Sequence, residues 1–80
     1  MRRKRKVIYW LRSKGYWWTS DGWISEDDFM VTYKKSGSTS ATFRTLKKAL
    51  RVFENSPVGT IMEQVVIKND GYLIKWEMEK

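Results

Sequence analysis

The stretch Thr42-Phe43-Arg44-Thr45-Leu46-Lys47-Lys48-Ala49-Leu50-Arg51-Val52-Phe53-Glu54 decides how the rest of the chain is read. Phe43, Leu46, Leu50 and Phe53 recur at helical spacing with Ala49 beside them, which predicts an apolar stripe on a helix over 42–54. Ser40 or Thr42 can cap its start. Asn55-Ser56-Pro57 ends it, because proline cannot continue the ladder. Arg44, Lys47, Lys48 and Arg51 stand at i, i+3, i+4 and i+7 and form a second stripe nearly opposite the first. The helix therefore has a core face and a wholly basic face. No acid sits on the basic stripe, whereas a solvated helix ordinarily mixes signs for i,i+4 pairing.

Such a helix needs a sheet beneath it. Asp70-Gly71 predicts the turn of a hairpin over 61–79, pairing Lys68 with Leu73, Ile67 with Ile74, Val66 with Lys75 and Val65 with Trp76. Ile61, Val65, Ile67, Ile74 and Trp76 then share one face, and Gln64, Lys75 and Glu77 the other. From Asp28 to Lys35, Phe29, Val31 and Tyr33 alternate with Met30, Thr32 and Lys34, which predicts a further strand. A competing signature is present: Ser25 before Glu26-Asp27-Asp28, with Lys34-Lys35 and Gly37 beyond, is how a short capped helix is written. Ser36 to Ser40 reads as a polar loop.

Val7-Ile8-Tyr9-Trp10-Leu11 is apolar throughout, so periodicity leaves residues 6–14 as either strand or short helix. A strand could turn at Lys14-Gly15 and pair with Tyr16-Trp17-Trp18; a helix would end at Gly15. Asp21-Gly22 marks a second turn. The expected fold is α+β, a small antiparallel sheet carrying the 42–54 helix and a C-terminal hairpin over about 61–79. Residues 1–80 are expected to form one domain, with 1–5 as a disordered basic arm.

The 80 residues include five Trp, four Tyr and three Phe but no Cys and no His. Disulfides, thiolate metal sites, cysteine nucleophiles and imidazole acid–base chemistry are thereby excluded. The absence of cysteine fits a reduced, cytoplasmic setting. No apolar run approaches the roughly 20 residues of a membrane span. The five apolar residues after the basic start are too few for a signal-peptide core. Glu26-Asp27-Asp28 lacks the glycine and closing glutamate of a calcium loop and reads as a cap or solvated turn. No glycine-rich phosphate loop occurs, and serine and threonine have no evident base. Neither catalysis, a cofactor nor a metal is expected.

Charge carries more information. Lys and Arg number 16 against nine Asp and Glu, a net charge of +7, and the signs are segregated. Residues 1–20 and 34–53 hold only cations; residues 21–33 hold only Asp21, Glu26, Asp27 and Asp28. Alternating blocks make a directional field that steers polyanions. The expected phosphate-contacting residues are Arg2, Arg3, Lys4, Arg5 and Lys6 of the arm, Lys34 and Lys35, and Arg44, Lys47, Lys48 and Arg51 of the helix. Trp17, Trp18 and Trp23 form an aromatic patch for stacking or for a protein interface. In a strand Trp17 and Trp18 point to opposite faces, so one sheet face cannot bury both. A satellite core beneath the loop would also account for them.

Thr42-Phe43-Arg44-Thr45-Leu46-Lys47-Lys48-Ala49-Leu50 after an aromatic strand resembles the strand-to-helix junction of small DNA-binding domains such as integrase arm-binding modules. That resemblance implies a three-stranded sheet against one helix, with the sheet reading DNA. It covers a short part of the chain and does not assign a family, and the C-terminal hairpin departs from it. The expected function is non-catalytic nucleic-acid binding, DNA before RNA. The alternative is a protein-binding inhibitor or adaptor of the mobile-element type, with the aromatic patch against an acidic partner surface. Homodimerisation through an exposed hairpin edge is a third route to a partner.

Overall fold

The computed structural model describes residues 6–32 and 36–80. In chain order the elements are β1 (Lys6–Arg12), β2 (Tyr16–Thr19), β3 (Gly22–Ser25), α1 (Glu26–Thr32), β4 (Ser40–Phe43), α2 (Leu46–Glu54), β5 (Ile61–Lys68) and β6 (Gly71–Glu79). Four strands form an antiparallel sheet in the order β4-β1-β5-β6, and β2 with β3 makes a separate hairpin. The architecture is α+β, with α2 packed on the sheet and a C-terminal hairpin.

The ambiguous run at residues 6–14 is a strand, and its position explains its composition. β1 lies inside the sheet, pairing Tyr9 with Phe43 and Gln64, and Leu11 with Ala41 and Met62. Tyr9, Leu11, Ala41, Phe43 and Met62 form the core with Ala49 and Phe53 of α2, and Leu11, Met62 and Ala49 are wholly buried. The opposite face of the sheet also buries Ile8 and Val65. An interior strand that buries side chains on both faces is apolar through its centre, so alternation disappears there. β1 does not pair with β2, so the hairpin that a strand could have made at Lys14-Gly15 is not formed. That turn instead closes on itself, Tyr16 N–H donating to Ser13 C=O at 3.0 Å with Gly15 at φ 84°. β2 turns back through Ser20 and Asp21 and pairs with β3, Trp17 facing Ile24 and Trp18 facing Trp23.

Three further expectations are corrected. First, α2 begins at Leu46, not Thr42. Thr45 is its N-cap, in extended conformation, and its hydroxyl accepts from Lys48 N–H at 3.3 Å. Residues 40–43 pair with β1 instead, because burial of Ala41 and Phe43 against exposure of Thr42 is strand patterning. Second, the strand expected from Asp28 is α1. Ser25 Oγ accepts from Asp28 N–H at 3.3 Å, and Glu26, Asp27 and Asp28 occupy the first turn, where carboxylates suit the helix dipole. Phe29 is buried while Met30 and Val31 are exposed, so the apparent alternation was not a burial pattern. The remainder of that stretch, 33–35, lies outside the described residues. Third, the C-terminal hairpin turns at Asn69 and Asp70, pairing Lys68 with Gly71, Ile67 with Tyr72, Val66 with Leu73 and Val65 with Ile74. A register shift between Gln64 and Val65 then brings Trp76 opposite Gln64. Trp76 therefore shares the helix-covered face with Tyr9, 6.2 Å between ring centroids, and not the face of Ile74.

α2 runs antiparallel to β4. Its start therefore lies toward the end of the sheet where β1 begins. Its C-terminus lies where β1 ends, Thr60 Oγ1 donating to Ser13 Oγ at 2.9 Å. There Lys80 Nζ donates to Glu54 C=O and Ser56 C=O, both at 2.6 Å, placing a cation on the helix's unpaired carbonyls.

Candidate nucleic-acid interface

Arg44, Lys47, Lys48 and Arg51 are all exposed. Arg44 is not on the helix: it sits in the connection just before the cap. Lys47 and Lys48 are the second and third residues of α2, and no acid occupies that turn. This placement opposes the usual preference. The N-terminus of a helix carries positive partial charge and unpaired N–H groups, so cations there are unfavourable by about 0.3–1 kcal/mol each. What such a turn favours is an anion. Lys48 leans back toward the ring of Phe43, its Nζ 6.0 Å from the centroid. Among the described residues the one salt bridge is Arg12–Glu63 at 3.4 Å, so none of these four cations is paired with a carboxylate there.

Topology gathers this charge. Lys6, exposed at the start of β1, stands level with Ile67 at the end of the sheet toward which α2 begins. In sequence Arg2-Arg3-Lys4-Arg5 leads directly into it. The arm residues Arg2, Arg3, Lys4 and Arg5, together with Lys34 and Lys35, lie outside the described residues. Several acids lie toward the other end: Glu26 N–H donates to Gly15 C=O at 2.9 Å, setting the start of α1 beside the turn that follows β1. Glu77 and Glu79 stand opposite Glu63 and Ile61 at that same end. Arg12, Arg51 and Lys80 share that end with these acids, and Asp70 sits at the hairpin turn near Lys6, so the described residues form local clusters of charge and not two opposed sides. Among the described residues no group of three or more Asp or Glu is arranged to hold a metal ion.

The tryptophans pack internally. Trp17 stacks flat on Phe29, 4.5 Å apart, beneath α1. Trp18 and Trp23 meet edge to face at 5.0 Å, and Trp18 reaches Phe43 at 5.8 Å, so this pair extends the core. Trp23 Nε1 donates to Ser56 Oγ at 2.8 Å. All three remain half-buried. Between the β2–β3 hairpin and the C-terminal half of α2 lies a cleft of about 600 Å³, lined by Tyr16, Trp18, Trp23, Arg51, Val52 and Asn55 among others. The fold thereby brings part of the aromatic patch against one end of the cation series, a juxtaposition absent from the sequence reading.

Two aromatics passed over in the sequence reading stand on the sheet face away from α2. Trp10 and Tyr72 meet edge to face at 5.1 Å, and Tyr72 is 58% exposed. The correct hairpin register would have placed Tyr72 there. No protein-family model, curated protein or solved structure matches the chain. No described helix is long and apolar enough to cross a membrane.

Proposed function

We propose that this protein is a non-catalytic nucleic-acid-binding protein of the cytoplasm, holding phosphates with the cations around the start of α2 and with its basic N-terminal sequence. One observation carries the reading. Arg44, Lys47, Lys48 and Arg51 are exposed and unpaired with acids among the described residues, and two of them occupy a helix N-terminus that favours an anion. Cations at such a place weaken the free protein slightly and gain a purpose when phosphate arrives. Phosphate contacts of this kind position the protein on a strand without reading sequence.

The test is fluorescence anisotropy with labelled duplex DNA, single-stranded DNA and RNA at about 50 and 200 mM salt. Micromolar or tighter binding at the higher salt is expected. With about six phosphate contacts, the log–log salt slope for duplex approaches −5. Binding that vanishes at the higher salt would reduce the +7 to generic charge and shift the search to an acidic protein partner.

A further inference from the structure

Resting on the nucleic-acid reading, we infer that the cleft between the β2–β3 hairpin and α2 receives one unpaired base of a single strand. The neighbouring phosphates then run along Arg51, Lys48, Lys47 and Arg44. The cleft's size, about 600 Å³, falls in the range of small-ligand sites. One wall is the hairpin, aromatic from Tyr16, Trp18 and Trp23 and carrying the carboxylate of Asp21; the other is the helix, from Arg51, Val52 and Asn55.

The aromatic wall is already in place. Trp23 Nε1 donates to Ser56 Oγ, and Ser56 Oγ donates to Val52 C=O at 2.6 Å, so the hairpin is pinned to the helix end. A preformed aromatic wall binds a base without a further ordering cost. The charge that complements a strand lies on the helix side, opposite Asp21. Arg51 lines the cleft, Lys47 and Lys48 lie one turn earlier on the same helix, and Arg44 precedes its cap. The cations thus step away from the cleft at roughly one helical turn, about 5.4 Å, along a line suited to a backbone. Bases inside a duplex are stacked and paired and must be extruded before entering a pocket, so this site selects single strands.

The experiment uses the full chain with a labelled oligothymidylate of about 12 nucleotides, within the site size of small single-strand binders, and a duplex of equal length. The single strand is expected to bind tighter and to quench tryptophan fluorescence. Asn55→Trp fills the cleft from the helix side, and Tyr16→Ala removes part of its aromatic wall. Each is expected to weaken single-strand binding about tenfold while leaving duplex binding unchanged. Thermal melts identify any variant that fails to fold, and the other then decides. Equal affinity for both forms, unaffected by either folded variant, overturns the cleft proposal while the phosphate-binding reading stands. Loss of all binding at about 200 mM salt overturns both.

Discussion

Trp23 donates its indole N–H to Ser56 Oγ at 2.8 Å, joining the β2–β3 hairpin to the end of α2 across 33 positions of sequence. Ser56 passes the bond on to Val52 C=O, so a buried hydroxyl serves as both acceptor and donor. Trp23→Phe keeps most of the ring but deletes the donor and part of the packing. We expect a loss of about 1–2 kcal/mol by urea unfolding. An unchanged unfolding midpoint would mean that the hairpin is held by ring packing alone.

Lys47 gives a prediction in which stability and binding move in opposite directions. At the second position of α2 its charge opposes the helix dipole. Lys47→Glu should therefore stabilise the free protein by about 0.3–1 kcal/mol, measured by thermal or urea unfolding. The same change should weaken duplex binding and flatten the salt slope by about 0.9 for the lost contact. If stability rises and binding does not change, Lys47 faces no phosphate.

The residues that misled the sequence reading share a physical cause: each satisfies two patterns at once. Phe43 completes the apolar stripe of α2 yet belongs to β4, where it is buried opposite Tyr9; only the partner strand decides between these. In α1 the exposure of Met30 and Val31 depends on where the short helix sits against the β2–β3 hairpin. Hydrophobicity alone cannot reveal that. Asn69-Asp70 and Asp70-Gly71 are both plausible turns, and the shift opposite Gln64 is set by neighbouring strands. By contrast, Ala49 and Phe53 were legible as core because helical spacing and burial agree. The four cations were legible as one stripe, but the place of Arg44 before the helix cap and of Arg51 at the cleft was not. The first follows from β4 extending to Phe43, and the cleft follows from Trp23 reaching Ser56.

Gly37 is a packing glycine rather than a turn glycine. Its φ is not in the left-handed region, but a Cβ there would collide with the ring of Phe29. That ring lies flat on Trp17. Gly37→Ala should push Phe29 off the indole, shifting Trp17 emission and lowering stability by about 1–3 kcal/mol. Gly15→Ala is the contrast. Its Cβ would meet open space, so its cost comes from the strained φ of 84°, with the Trp17 environment left intact. Emission spectra and urea melts of the two variants separate the mechanisms.

β6 is one of the two edge strands of its sheet, with Tyr72, Leu73, Ile74 and Met78 each more than 40% exposed. An edge of this kind invites pairing with a second copy unless something blunts it. Two features do so here. The register shift beside Ile74 twists the ladder, and Lys75, Glu77 and Glu79 place charge at the free edge. The chain's +7 adds mutual repulsion between copies. The parent protein is therefore expected to sediment as a monomer. The double variant Lys75→Val with Glu77→Val should associate with rising concentration in analytical ultracentrifugation. A parent that is already dimeric at low concentration would show that the edge is an interface and that its charges set register between copies.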